Sequence, residues 1–310
     1  MILKKHVDWH NFLCSTPQRD YVFQKDSYED KINIAAEYIK DADSVLLGAG
    51  SGLSTEAGIT MGGNRFRDNF SEFIEKYGSH YMTDMYVAGF YPFPSEEAKW
   101  GYWSKVALLN QFDLPALPLY KELYDIVKSK EYFVLTTNVD HQFYKAGFGI
   151  DRIFATQGDY GKIQCQNACH SKTYGAQELF RKMDKARKDC LIPSALVPKC
   201  PVCGGRMEMN LRCNNYFVED EEWHEAADRY AAFLEHNKKK KIVLLELGVG
   251  FNTPIIIRFP FEKMVRENPS YNLIRLNMDE PEVPESFGKS AIGIGGDMTR
   301  AITDIRGRVL

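Results

Sequence analysis

The sequence predicts an α/β fold, a doubly wound parallel sheet with a smaller module inserted into it, and three observations lead there. Short, wholly apolar runs alternate with amphipathic helical segments along most of the 310 residues, and strands apolar on both faces are those covered by helices on both sides. Five of these runs close on turns that can meet a ligand, "GAGSGLS", "TTNVD", "TQGD", "GVGFNTP" and "NMDE"; open parallel sheets bind ligands beyond the carboxyl ends of their strands. The alternation breaks from about Gly161 to Tyr216, which holds six of the seven cysteines.

The elements follow in order. From Tyr28 to Lys40, Ile32, Ile34, Ala35, Ala36, Tyr38 and Ile39 recur with a mostly helical period, and "DSVLLGAGSG" is a short buried strand breaking into glycines. Residues 62 to about 119, rich in aromatics and glycine, predict a mostly helical insertion with irregular segments. The helical "LPLYKELYDIVKSK" precedes a strand over Tyr132–Asn138, and the short strand "RIFAT" ends just before Gln157. After the cysteine-bearing module, "WHEAADRYAAFLEHNKKKK" reads as a helix with a solvated lysine end, followed by a strand within Lys241–Gly250 and a fifth, "YNLIRLNMD". The expected organisation is residues 28–160 and 217–310 as the sheet domain and 161–216 as the small module.

Composition narrows the class. With 44% hydrophobic residues, 26% charged residues and a formal charge of −3, the chain carries no basic field that would favour nucleic acid or anionic lipid. The first residues lack the apolar core of a secretory signal, and the longest apolar runs, such as "TPIIIRFPF", fall short of the roughly 20 residues of a membrane span. A cytoplasmic protein with reduced thiols is expected.

Gly48, Gly50 and Gly52, directly after the first strand, permit a tight turn and close approach to phosphate, although the acidic residue of a dinucleotide fingerprint about 20 positions later is not clean. In the next turn Ser54 and Ala57 read as an imperfect capping box, with alanine where glutamate belongs.

These motifs, taken together, resemble the sirtuin family. "GSGLSTEAGI" (Gly50–Ile59) resembles the glycine-alanine-glycine NAD motif, with Ser51 in the alanine position, and "TTNVDHQFYKAG" resembles the threonine-glutamine-asparagine-isoleucine-aspartate motif with its following helix. "GVGFNTP" is similar to the later glycine-threonine-serine loop, "LNMD" to the ribose-binding asparagine strand and "GGDM" to the adenine-side loop. The resemblance covers roughly residues 30–305 and implies a Rossmann-like NAD domain with an inserted zinc-ribbon and helical small domain. It implies that Asn138 meets the nicotinamide ribose and Asp140 the nicotinamide pocket. Gly50, Ser51 and Gly52 would face the pyrophosphate, with Ser54 and Ala57 in the same cofactor loop. Gly248, Gly250 and Asn252 would approach the phosphate and adenosine ribose, Asn277 would bind that ribose, and Asp297 and Met298 would cover the adenine.

Two departures from the family pattern carry most of the information. In "TMGGNRFR", Phe66 and Arg67 come several residues late, so the cofactor loop is remodelled, with Arg67 a candidate for anionic oxygens. Gln157 stands where deacylating sirtuins carry a histidine base, and glutamine has no group titrating near neutral pH. The resemblance therefore narrows to the macrodomain-linked sirtuins of microbial pathogens and implies a protein ADP-ribosyltransferase rather than a deacylase or a non-catalytic NAD sensor. By the same resemblance the acceptor is a lipoylated carrier protein similar to glycine-cleavage protein H, and a macrodomain hydrolase is a functional partner. Cys165 and Cys169 in "CQNAC" pair with Cys200 and Cys203 in "CPVCGG" as the ligands of the family's structural zinc. His170, Cys190 or Cys213 are alternatives for one ligand. His141, beside Asp140, is expected to be turned away by the following helix, and Glu219 is a candidate for the acceptor groove.

Overall fold

The computed structural model describes residues 20–251 and 254–310. The described chain opens with β1 (Tyr21–Val22), α1 (Tyr28–Asp41), β2 (Ser44–Ala49) and α2 (Ser51–Glu56), then runs through the helices α3 (Gly63–Tyr77), α4 (Met85–Gly89), α5 (Glu96–Ala107) and α6 (Pro118–Val127). Next come β3 (Glu131–Thr136), α7 (Gln142–Lys145), β4 (Ile153–Ala155), β5 (Gly158–Cys165), β6 (Thr173–Gly175), α8 (Gln177–Ala186) and β7 (Met207–Leu211). The chain ends through α9 (Glu221–Asn237), β8 (Ile242–Leu247), α10 (Arg258–Glu267), β9 (Tyr271–Leu276), β10 (Val283–Pro284), β11 (Ala291–Ile294) and α11 (Met298–Val309).

A six-stranded sheet in the order β11-β9-β8-β2-β3-β4 forms the body, each neighbouring pair parallel. Every residue of β2 and β8 is buried, as expected for strands covered on both faces. On one face Val45, Leu47, Val243 and Leu245 pack against α1, α6 and α11 through Ile32, Leu123 and Ile302. On the other, Leu46, Leu244 and Leu273 meet Phe233 of α9 and Phe261 of α10; each fully buried Leu or Phe contributes about 1.5–3 kcal/mol. Gly48 in mid-strand sets that second layer's distance, because a Cβ there would lie 2.4 Å from Ile257 Cγ2 and 2.6 Å from the Phe261 ring.

Helix starts follow their caps. The Ser27 hydroxyl accepts the Asp30 N–H at 3.1 Å, Asp220 accepts that of Trp223 at 2.9 Å and Asp297 that of Arg300 at 2.7 Å, each satisfying a first-turn donor. The fifth expected strand is not the last: β11 extends the sheet beyond β9, and four residues interrupted by Gly293 give too short a pattern to read from sequence. A buried ion network also lies inside what reads as apolar strand. Glu246 of β8 and Arg275 of β9 are register partners joined by two hydrogen bonds of 2.7 and 2.9 Å, and Glu262 accepts from Arg275 at 2.8 Å.

The two stretches that broke the alternation share one core. Phe66, Phe70, Trp100 and Tyr102 from the helical insertion pack with Ile163, Phe180, Cys200 and Met209 of the cysteine-bearing module, whose antiparallel sheet has the order β6-β5-β7. The small body is thus built from both segments, and β5 enters it directly after Gln157. Among the described residues no helix is long and apolar enough to cross a membrane.

Candidate active site

The site begins where two strand ends interlock. Gly50 N–H donates to Leu247 O and Gly52 N–H to Gly248 O, both at 3.0 Å, so the β2–α2 turn is tied to the end of β8. A Cβ on Gly50 would sit 2.7 Å from Gly248 O, and one on Gly52 2.8 Å from Gly248 Cα. Gly248 itself has φ +60° and lies where a Cβ would be 2.3 Å from Leu53 N, a position open in practice only to glycine. Ser51 is exposed at the start of α2. The capping-box reading of Ser54 and Ala57 is corrected here: Gly50 is the N-cap, Ser54 lies within the helix and Ala57 ends it, because a buried carboxylate recruits the Ser54 hydroxyl instead.

That carboxylate is Asp140. Asp140 Oδ2 accepts from Ser54 Oγ, Asp140 Oδ1 accepts the Gln142 N–H at 3.0 Å, and Tyr120 Oη lies 3.0 Å from Ser54 Oγ. Burial raises the Asp140 carboxyl above its ordinary value, opposed by the Ser54 hydroxyl and the Gln142 amide. Burial also pushes the Tyr120 phenol well up, so it keeps its proton. With the carboxylate ionised the protons are assigned: Ser54 must donate to Asp140, leaving its lone pair to accept from Tyr120. Beside this chain Asn138 donates its side-chain N–H to Gly50 O at 2.9 Å, while its backbone N–H is held by Thr136 Oγ1 at 3.0 Å. Asn138, Asp140 and Ser54 therefore form one cluster between β2 and β3.

Gln157 occupies the turn between β4 and β5, half-buried, with its side-chain amide on Thr156 Oγ1 at 3.2 Å. Its carbonyl accepts the Arg212 N–H at 3.0 Å. The Arg212 side chain donates to Thr156 O at 3.3 Å and to Glu219 Oε1 at 2.6 Å, and its guanidinium lies 4.1 Å over the Phe217 ring. Sequence reasoning missed Arg212, which no motif marks and only the return of β7 brings to this turn. Glu219 is its partner. His141 adopts φ 65° and does not simply turn away: its Nδ1 lies 2.8 Å from Asp159 Oδ2, with the ring stacked on Tyr144. Burial alone would raise Asp159, but the His141 contact, the Gly161 amide and Gln111 hold its carboxyl below the usual value. His141 and Asp159 also line an open cleft of about 380 Å³ with Tyr144, Phe154 and Trp223.

The remaining candidates divide. Phe66 is buried in the small-body core, stacked on Phe70, and Arg67 is exposed, bonded to Asn64; neither presents its side chain as the late motif suggests. The inward guanidinium of this stretch is Arg65, which donates to Thr60 O and Asn110 Oδ1 at 3.0 and 2.7 Å. Asn277 is nearly buried and committed to the loops it joins, donating to Val249 O at 3.0 Å and accepting from the Asp279 and Glu280 N–H groups. Gly250 lies against Glu280, where a Cβ would meet Oε2 at 3.3 Å. Asp297 caps α11 and Met298 is buried in the sheet core. Asn252 lies outside the described residues.

Cys165, Cys169, Cys200 and Cys203 come together with all four sulfurs within 4.8 Å of one another. The Cys165–Cys203 and Cys169–Cys200 separations are 3.8 and 3.6 Å, and four thiolates about 2.3 Å from a tetrahedral zinc stand roughly 3.8 Å apart. The donor set and spacing fit zinc.

No protein-family model matches the chain. A protein ADP-ribosyltransferase of Staphylococcus aureus (strain Mu50) is 37% identical over 266 residues, covering 86% of this chain and 84% of its own. A probable bifunctional ADP-ribose hydrolase/ADP-ribosyltransferase of Fusarium oxysporum f. sp. cubense is 33% identical over 291 residues and matches 88% of this chain, which spans 47% of that longer protein. Among solved structures, a Sir2 enzyme superposes with a TM-score of 0.57 at 18% identity, over 91% of this chain and 98% of its own. A Sir2 homologue in complex with NAD gives a TM-score of 0.57 at 16% identity, over 94% of this chain and 99% of its own. At those identities the structural likeness speaks for the fold.

Proposed function

The chain belongs to the sirtuin-type protein ADP-ribosyltransferases, and from that premise we propose that it transfers ADP-ribose from NAD to a nucleophile on a protein acceptor, with release of nicotinamide. The observation that carries the reading is Gln157. A side chain that cannot exchange a proton near neutral pH stands at the strand-end turn, hydrogen-bonded to Thr156 and anchored through Arg212, while Asn138, Asp140 and Ser54 stand together between β2 and β3. Removing an acyl group through the ribose needs a base at that turn; breaking the nicotinamide–ribose bond and delivering the sugar to an incoming nucleophile does not.

Bound NAD supplies a ribosyl carbon whose neutral leaving group is nicotinamide. The residues of this chain divide the remaining work. Asn138 orients the nicotinamide-side ribose, and Asp140, held by Ser54, receives the carboxamide. Gln157 hydrogen-bonds the ribose without taking a proton from it. Gly50, Ser51, Gly52, Gly248 and Gly250 let backbone approach the phosphates, and Asn277 holds the adenosine-side loops. The four cysteines hold a structural zinc that keeps the small body in register and touches no reacting atom.

The acceptor in this reading is a lipoylated carrier protein, reached across the junction of the two bodies near Glu219. A macrodomain-type hydrolase that removes the mark suits the chemistry, and the Fusarium relative's name joins hydrolase and transferase in one chain. The test is incubation with labelled NAD, the carrier and a lipoate ligase, followed by mass spectrometry of the carrier. Label on the carrier supports the reading. Release of acyl groups from lysine peptides with no label on any protein overturns it.

A further inference from the structure

A neutral imidazole has one N–H and one lone pair, and the neighbours of His170 decide which nitrogen carries which. The Lys172 backbone N–H donates to His170 Nδ1 at 3.1 Å, so Nδ1 presents its lone pair and the proton belongs to Nε2. That nitrogen lies 3.5 Å from Cys200 Sγ and 3.3 Å from Tyr174 Oη, so its one proton faces two acceptors, of which a metal-bound thiolate carries the charge and is the stronger. Tyr174 also fixes the ring's tilt, standing edge-on to it at 5.8 Å and 85°. Tyr174 is placed by β6, where it is the register partner of Ile163, so the imidazole is held between a turn amide and a sheet residue.

A protonated ring nitrogen has no lone pair to give a metal. His170 is therefore excluded as the substitute ligand that its position beside Cys169 suggests, and the four sulfurs complete the set. Four thiolates place a formal charge of −2 on a zinc centre, and a donor aimed at one sulfur draws off part of that charge. We propose that His170 is a positioning residue of the metal centre, donating Nε2–H to the Cys200 thiolate and thereby slowing loss of the zinc. Cys200 is the buried partner of the exposed Cys169 across the site, so the donor reaches one of the two sulfurs, with Cys165, that water solvates poorly.

The experiment compares zinc-loaded wild type with His170→Ala and His170→Gln; glutamine keeps an N–H donor but not the ring. The first readout is the rate of zinc transfer to excess chelator, and the second is the sulfur-to-metal charge-transfer band of the cobalt(II)-substituted proteins. The alanine variant is expected to release zinc about tenfold faster, the low end of what loss of an outer-shell partner does. Its charge-transfer band should move to longer wavelength, because an unshielded thiolate gives up its electron more easily, while glutamine restores most of both properties. Release rates within twofold of wild type with an unmoved band refute the proposal. So does a cobalt spectrum of the alanine variant that has lost its tetrahedral d–d intensity, because His170 is then a ligand. Neither readout uses NAD, so the outcome is independent of the transferase reading.

Discussion

Replacing Tyr120 by phenylalanine isolates the relay that fixes Asp140. The substitution removes one oxygen from a fully buried ring that otherwise packs edge-on against Phe143, with centroids 4.9 Å apart, so shape is kept and the hydrogen bond between Tyr120 and Ser54 is lost, together with the hydroxyl's interaction with Asn138. A buried neutral hydrogen bond is worth about 0.5–1.5 kcal/mol net, and in a chain of 310 residues a loss near 1 kcal/mol lowers Tm by roughly 2 °C. If Ser54 loses its preferred orientation by the same amount, kcat/KM for nicotinamide release falls about threefold to tenfold. Ser54→Ala takes the partner directly from a buried carboxylate and should cost about 1.5–3 kcal/mol, a ten- to hundredfold loss. The decisive assay is the double variant. If Tyr120 acts through Ser54 alone, Ser54→Ala/Tyr120→Phe should be no slower than Ser54→Ala. Full additivity of the two losses would refute the relay and give Tyr120 an independent role.

Four further outcomes follow from named contacts. Gly248→Ala forces a Cβ to 2.3 Å from Leu53 N at φ +60°; it should destabilise by more than about 2 kcal/mol and abolish NAD binding by calorimetry, whereas Gly58→Ala, which meets no neighbour but is strained by a φ of +99°, should cost about 1–2 kcal/mol and leave NAD binding in place. Asp159, whose carboxyl is held below its ordinary 3.8, contributes stability that is present above that value and lost as pH falls through its folded one; Asp159→Asn should flatten the acid limb of a chemical-denaturation series. Arg275→Met leaves the buried Glu246 and Glu262 with Arg258, 3.9 and 4.0 Å away, as the cation between them and should cost about 3–5 kcal/mol in urea titration, part of it recovered when Glu262 also becomes glutamine. Cys200→Ser should lower zinc stoichiometry below one by metal analysis and destabilise the small body, since Cys200 belongs to its core.

How far the sequence could be read follows from the range of the forces involved. Local signals survived: apolar strands end where glycines begin, and Ser27 and Asp220 cap the helices they precede. The four cysteines announced their meeting through two short spacings and a glycine knuckle, although 31 residues separate Cys169 from Cys200. Register was not legible. Glu246 and Arg275 each look like a lone polar intrusion in an apolar run, and only the parallel pairing of β8 with β9 shows that each neutralises the other. The union of the helical insertion with the cysteine-bearing module was hidden for the same reason, since aromatic residues at helical spacing do not name their partners.

At the site, what was legible is what lies along one strand end, and what was missed arrives from elsewhere. Asn138, Asp140 and Gln157 fall at the strand-end turns where the chain around them puts them, and their roles come from the family resemblance. Phe66 and Arg67 could not be placed from their spacing, because α3 starts at Gly63 and its pitch sends Phe66 into the core while Arg65 turns inward. That exchange matters for the proposed chemistry. Arg65 holds the Thr60 carbonyl and the buried Asn110 together, so the loop before α3 is braced by a guanidinium already committed to the protein. Arg65→Lys, which cannot span both acceptors as a planar fork does, should therefore raise KM for NAD several-fold while leaving zinc content unchanged. An Arg67→Ala variant with the same KM effect, and an Arg65→Lys variant without it, would reverse that assignment.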